Sequence, residues 1–464
     1  MPGDTLTQPW VPLLDRAGGP LYLAIAEAIG TDLAAGRLAP GQRLPPQRSL
    51  AQALGIDFTT VSRAYAEAAR RGLVEGRVGQ GTYVRRRAAA PLPAASGLVD
   101  MSMNLPPRFA DLGLEARLWE GIAGLEQDGG MPLLLRYQEP GGSGRDRAAG
   151  QAWLAPRLPG AEAARLLLCP GAQGALLTVF SLLTQPGDAV AAEALTYPGF
   201  RALAAHLGLR LLPVAMDRDG LLPEAFEAVC RSERPKALYC TPTLQNPTTA
   251  TLPLPRREAL VAIARRHGVP IVEDDAYGAL PAAPLPPLAA LAPDSVFHVA
   301  GLAKSLSPAL RIAYLLLPDA ALTARAAAAL RATAGLASPL TAGIATRWIE
   351  QGTAIAIRDA VRAEAAARQA ILREALSGQA VAADAEGFHA WLPLPAAWQR
   401  QAFLAELRAA GIGAVASDAF ALGPPPEALR LGLGAAEGRA ALRQGLAVVA
   451  RLLRRGPEGP QLVV

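Results

Sequence analysis

Along the first ninety residues, apolar positions recur at helical spacing and then switch to alternation. Tyr22, Ile25, Ile29 and Leu33 share one helical face, and Gly36 predicts the end of that helix. Pro45 and Pro46 open a second helix that turns Leu50, Ala51 and Leu54 inward and stops at Gly55. Asp57 is placed to cap a third, its carboxylate accepting the free N–H of Thr59 or Thr60. The third helix carries Val61, Ala64, Tyr65 and Ala68 as its stripe, runs to about Arg71 and stops at Gly72. Residues 73–84 read as two short strands around a glycine-rich turn. Beyond residue 100 the pattern changes to short, mainly apolar runs between amphipathic stretches. Runs at 165–169, 189–192, 210–214, 237–240, 270–272, 296–299 and 312–317 predict buried strands. Stretches at 172–183, 256–267 and 320–334 predict helices. That alternation predicts an α/β body with a mostly parallel sheet, whose ligands sit at the carboxyl ends of the strands.

Composition narrows the class. A chain of 464 residues, 51% hydrophobic and only 18% charged, has material for a large core and roughly three domains. No apolar run reaches the roughly 18 residues of a membrane span. The N-terminus has no basic region followed by an apolar one, so no signal peptide is predicted. Cys169, Cys230 and Cys240 lack metal-ligand spacing and predict buried thiols in a reducing cytosol. The four histidines lack metal spacing too, and no metal is expected. Residues 1–90 hold 11 Arg against 7 Asp and Glu, a net +4. The remainder holds 34 basic and 33 acidic residues, a net +1. A small basic unit on a large neutral one points to a polyanion as partner of the first ninety residues.

The helix order and hairpin predict a winged helix-turn-helix over residues 15–87. Its motifs resemble the GntR family of bacterial regulators: Pro20-Leu-Tyr22, Leu44-Pro-Pro-x-Arg48-x-Leu-Ala, Thr60-Val-x-Arg63-Ala-Tyr65 and Gly79-x-Gly-Thr-Tyr-Val84. The resemblance spans about 65 residues. It departs at the start of the recognition helix, where the family usually has Ser-Arg and this chain has Asp57-Phe58, which implies a different operator. Thr59, Thr60, Ser62 and Arg63 are the candidates for base edges and phosphates. Arg43 and Arg48 flank the preceding helix and are candidates for phosphates, while Arg77 and Gln80 lie at the wing tip, within reach of a minor groove. Residues 88–100, rich in Ala and Pro, read as a semi-rigid linker, with Arg85 to Arg87 ahead of it suited to the DNA backbone.

In the body one residue stands out by rarity. Of 45 basic residues only Lys236 and Lys304 are lysine. Arginine replaces lysine in most surface roles, but only lysine forms a Schiff base. Around it the strand ends carry a distinctive set. Cys169-Pro-Gly171 opens a helix whose free N–H groups at Ala172 and Gln173 suit a phosphate. Tyr197 follows the next strand, Asn246 is one of two asparagines in the chain with Asn104, and Asp274 and Tyr277 end another strand. Arg311 lies seven residues after Lys304. A pyridine aldehyde cofactor needs such a set: an amine, a carboxylate at the ring nitrogen, donors at the phenolate, a stacking aromatic and a phosphate grip.

Order and spacing resemble fold type I pyridoxal-phosphate aminotransferases over nearly all of residues 101–464. The resemblance implies Lys304 as the Schiff-base lysine, Asp274 on the pyridine nitrogen, Asn246 and Tyr277 on the phenolate, Tyr197 on the ring and Arg311 on the phosphate. It implies Arg430 for a substrate or effector α-carboxylate, with Tyr137 and Gly141 in the N-terminal part of the site. Two phosphate-site serines of that family are Gly301 and Ala303 here, with Ser305 and Ser307 close by in sequence. A GntR-type head on such a body resembles the MocR subfamily. The expected molecule is a cytoplasmic, homodimeric regulator that binds double-stranded operator DNA. It senses an amine, an amino acid or pyridoxal phosphate through an internal aldimine. The large part of the body is expected at about 135–320 and the small part at about 335–464. An active aminotransferase with an accessory DNA domain is the alternative, and a body serving only as a dimerisation scaffold is a third.

Overall fold

The fold is that of a computed structural model. It describes residues 10–12, 20–34, 37–39, 41–70, 73–77, 81–84, 99–109, 111–128 and 135–455. Gly36, Arg71, Gly72, Gln80, Arg85 to Arg87 and all but the last two residues of the expected linker lie outside that set. The chain divides into two units, 1–94 and 95–464.

In the first unit, α1 (Leu21–Ala34), α2 (Gln47–Leu54) and α3 (Phe58–Arg70) precede a hairpin of β1 (Val74–Arg77) and β2 (Gly81–Val84). Gly55 ends α2 in the left-handed conformation, at φ 64°, where its N–H returns to the last carbonyls of the helix. Asp57 accepts the Thr59 N–H at 2.8 Å, the cap expected for α3. Ile25, Ile29, Leu50, Val61, Ala64, Tyr65, Val74 and Val84 close one small core. Tyr65 reaches out of that core to donate its hydroxyl to the Pro45 carbonyl at 2.8 Å, so its polar end is satisfied.

The second unit is built on a seven-stranded sheet. The strands are β4 (Leu166–Cys169), β5 (Ala189–Glu193), β6 (Arg210–Val214), β9 (Leu238–Cys240), β10 (Ile271–Asp274), β11 (Val296–Gly301) and β12 (Ala313–Leu316). Their spatial order is β4-β12-β11-β10-β9-β5-β6. The two intervening strands, β7 (Met216–Asp217) and β8 (Gly220–Leu221), pair only with each other. All neighbours in the large sheet are parallel except β12, which runs against both β11 and β4. Most of these strands are buried and mainly apolar because both faces are covered, their polar residues being Glu193, Glu273, Asp274 and His298. β6, expected to be buried, lies at the sheet edge, with Arg210 and Pro213 exposed. Leu166, Leu168, Tyr314 and Leu316 enter one core, while Leu167, Cys169, Ala313 and Leu315 enter the core on the opposite face. β11 runs two residues past its expected end because Gly301 pairs with Ala313. The helix expected from 256 starts at Leu254, since Pro255 fits the first helical turn, where its missing N–H is no loss.

Beyond the long helix Thr353–Ala375 lies a second, antiparallel sheet. It is formed by β13 (Ala382–Ala383), β14 (His389–Pro393), β17 (Ala428–Gly432) and β16 (Val415–Ala416), in that order. A strap at residues 99–107 ties the two parts. It starts with β3 (Val99–Asp100), paired in parallel with β15 (Ile412–Gly413), and passes against Gly432 and Gly434. A Cβ on Gly434 would sit 1.8 Å from the Leu105 carbonyl oxygen, so only glycine admits the strap there. No helix among the described residues is long and apolar enough to cross a membrane.

Candidate functional site

The parallel strands deliver their chemistry at their carboxyl ends. β10 ends at Asp274, β9 leads to Thr241, β11 leads through a turn to Lys304, and the helix Gly171–Leu183 opens after β4. These ends meet Tyr197, Asn246, Tyr277, Arg311 and Arg430 around one cavity of about 570 Å³. Ala172, Gln173, Gly301 and Ala303 line it as well. Asp274 faces this cavity because alternation along the strand sends its neighbours the other way. Glu273 and Asp275 flank the buried His298 ring, at 2.8 and 3.4 Å, and Arg157 pairs with Asp275.

Burial dominates the electrostatics. It pushes the Asp274 carboxyl up to about 6, against the Tyr239 hydroxyl, which donates to Oδ2 at 2.8 Å. Oδ1 of Asp274 has no partner among the described residues. Burial pulls the Lys304 amine down to about 8, helped by the positive charge of Arg430 and opposed by Asp274. That amine donates to the backbone carbonyl of Asn104. The Asn104 side-chain amide donates to the Tyr277 hydroxyl at 2.7 Å. Arg430 is buried under the strap: Nη2 donates to the Ser102 carbonyl, and Nη1 to Asn246 Oδ1 at 3.2 Å. Its Nε has no partner, and its guanidinium lies 5.2 Å from the centre of the Phe420 ring. His389 lies beside Tyr277, the rings tilted by 34° with centres 5.4 Å apart. Burial holds its ring down at about 3, so it is neutral at physiological pH, and Nε2 meets the Gln245 carbonyl at 3.0 Å.

Arg311 adopts φ 52°, a left-handed conformation uncommon outside glycine. That turn returns its guanidinium toward the helix start, where a Cβ on Gly171 would lie 3.4 Å from it. The cavity therefore combines a desolvated amine, a buried carboxylate oxygen awaiting a donor, and a guanidinium beside a helix N-terminus. That set fits a protonated ring nitrogen at one end and a phosphate at the other. Neither Ser305 nor Ser307 lines the cavity, so hydroxyls are absent from its wall at Gly301 and Ala303.

Tyr137, expected in the site, is 99% exposed and does not line the cavity of its own chain. Gly141, expected in the same part of the site, bridges to Leu168 on the edge strand β4. Four contributors were not singled out from the sequence. Asn104 carried a signal, since it is the only other asparagine in the chain. Ser102, which acts through its carbonyl, left none, and neither Tyr239 nor His389 carried a pattern of its own.

In the first unit Thr59 is exposed, and its hydroxyl and its N–H both donate to Asp57, which leaves the hydroxyl oxygen as an acceptor. Thr60 and Ser62 are half-buried, and Arg63 places its guanidinium 4.3 Å from the Tyr22 ring centre. Arg43 and Arg48 are exposed, and Arg48 sits 5.9 Å from the Phe58 ring centre. The backbone of Arg77 ends β1, while its side chain, like Gln80, lies outside what is described.

Residues 123–449 match the family "Aminotransferase class I and II", and residues 21–84 match "Bacterial regulatory proteins, gntR family". The uncharacterized HTH-type transcriptional regulator YdeF of Bacillus subtilis (strain 168) is 29% identical over 451 residues, 96% of each chain. The HTH-type transcriptional regulator TauR of Rhodobacter capsulatus is 30% identical over 346 residues, 65% of this chain and 68% of that one. Among solved structures, the α-aminoadipate aminotransferase LysN of Thermus thermophilus, complexed with N-(5'-phosphopyridoxyl)-L-leucine, superposes with TM-score 0.69 at 25% identity, covering 78% of this chain and 93% of that one. Kynurenine aminotransferase of Pyrococcus horikoshii superposes with TM-score 0.71 at 21% identity, covering 79% and 93%.

Proposed function

We propose, from the premise that this chain belongs to the aminotransferase class I and II family and carries a GntR-family DNA-binding head, that its body holds pyridoxal phosphate and reports an amine, an amino acid or the cofactor itself to that head. The fusion is that of MocR-type transcription regulators. As a regulator of transcription it works in the cytoplasm.

When bound, the cofactor supplies an aldehyde for an amine and a ring that accepts electrons. Lys304 offers its amine for covalent attachment, and Asp274 would pair with the ring nitrogen. Asn246 and Tyr277 would hold the phenolate oxygen, and Tyr197 would cover the ring. Arg311 and the N–H groups at Ala172 and Gln173 would hold the phosphate, without the hydroxyls that Gly301 and Ala303 lack. Arg430 serves a carboxylate. The observation that carries the reading is the shared use of the strap. Both cations, Lys304 and Arg430, donate to carbonyls of residues 102–104, the first described stretch after the expected linker. A carboxylate on Arg430 competes with the Ser102 carbonyl. A ligand can shift the DNA-binding state only by such a differential contact.

We assign a homodimer as well. Trp119, Leu340 and Ile355 are exposed, on three helices that pack against one another, and Leu135 and Tyr137 are exposed too. A second copy is the partner this surface fits. The regulatory domains are proposed as residues 15–87 for the head, 88–100 for the linker and 101–464 for the body.

The test is titration of full-length protein on duplexes it selects from its own promoter region, with candidate amines and with pyridoxal phosphate alone. Coupling of ordinary size changes affinity roughly 5- to 150-fold. The change is expected in wild type and lost in Lys304→Ala; an undiminished response in that variant refutes sensing through Lys304. Sustained turnover of an amino acid with a keto acid, without any effect on DNA affinity, would favour an active aminotransferase instead.

A further inference from the structure

The start of α3 leaves one large side chain without a role in the fold. In helix-turn-helix proteins the N-terminal residues of this helix meet base edges in the major groove. Here Thr59 donates its N–H and hydroxyl to Asp57, Arg63 lies against the Tyr22 ring, and Thr60 and Ser62 are half-buried. Phe58, the first residue of the helix, is 43% exposed. It belongs neither to the core of the head nor to the partly buried residues packed on that core, although nearby Ile56 does. Arg48, from the preceding helix, holds its guanidinium 5.9 Å from the ring centre. A cation suited to phosphate thus stands beside an apolar face turned to solvent. An exposed phenylalanine at this place is costly in water and gains by meeting an apolar group. The major groove offers one such group on a base edge, the C5-methyl of thymine.

We propose that Phe58 reads a thymine methyl in the operator and so sets the base preference of this head at one position per half-site. The neighbouring Arg48 fixes the ring between phosphate and base. An arginine at position 58 would seek the O6 and N7 acceptors of guanine instead. Phe58 therefore selects against guanine as well as for thymine.

The experiment uses the full-length protein and duplexes enriched by it from a random pool. Each thymine is replaced in turn by deoxyuridine, which removes the methyl and keeps the base pair. In wild type, one thymine per half-site is expected to lose about fourfold in affinity without its methyl, the worth of one buried methyl group. Phe58→Ala is expected to bind the thymine and deoxyuridine duplexes equally, and Phe58→Leu to keep part of the difference. Phe58→Arg, put through the same enrichment, is expected to return guanine at that position. Thermal melting checks that each variant is folded, which the exposure of the side chain favours. A wild type indifferent to every deoxyuridine overturns the proposal, as does a methyl dependence that persists in Phe58→Ala. Loss of all duplex binding by wild type would overturn it too, through the DNA-binding role on which it rests.

Discussion

Lys304 can attach a cofactor only as the neutral amine. Burial and the charge of Arg430 bring its pKa from 10.5 to about 8. At pH 7.5 roughly a quarter of the molecules then carry a neutral amine, against roughly one in a thousand for an unperturbed lysine, a gain of about 200-fold. The rate at which apo-protein binds pyridoxal phosphate covalently should therefore rise about tenfold per pH unit below pH 8 and level off above it. Arg430→Leu removes the second cause of the depression. The midpoint should move up and the rate at pH 7 should fall, while the plateau at high pH stays. Stopped-flow absorbance follows the rate, and borohydride trapping with mass spectrometry locates the adduct. The same shift has a stability counterpart with a defined sign. Between about pH 8 and 10.5 the unfolded lysine holds a proton that the folded one has lost, so apo-protein stability rises with pH across that window. Lys304→Met should flatten that part of the curve. A midpoint near 10.5, or a downward move in Arg430→Leu, would refute the reasoning.

Three further outcomes follow from particular contacts. Tyr239→Phe removes the donor on Asp274 and pushes that carboxyl further above about 6. Cofactor affinity at pH 7 should fall roughly 10- to 100-fold, the worth of one hydrogen bond to a charged group, and should recover as pH rises and Asp274 ionises; equilibrium absorbance titration checks it. Arg257 is buried and donates to the carbonyls of Leu252, Pro286 and Pro242, so Arg257→Met should cost about 3–5 kcal/mol, read from the urea midpoint of the apo-protein. Arg63→Ala should weaken operator binding and lower its salt dependence while cofactor absorbance stays unchanged, measured by titration at several salt concentrations.

Local period and residue chemistry carry the parts of this protein that can be read along the chain. A two-part plan follows from a basic, helical first ninety residues set against apolar runs alternating with helices. The seven strands are legible because burial makes most of them short, mainly apolar runs, and Gly55 and Asp57 mark helix ends by their own conformational needs. Lys304 is legible from rarity, because only an amine of its kind does that chemistry; Asn104 carried the same signal.

Tertiary structure decided the contacts made between distant residues. Lys304 donates to a carbonyl 200 residues away. Ser102 meets Arg430 through its backbone, and a carbonyl has no residue identity to leave in a sequence. Tyr239 meets Asp274 because β9 and β10 are neighbours, an order that only the assembled sheet sets. Tyr137 stands exposed and outside the cavity of its own chain. At α3 the pattern marked Thr59 as a reader and passed over Phe58. In the fold Asp57 accepts both Thr59 donors, and the small core of the head closes without the phenylalanine ring.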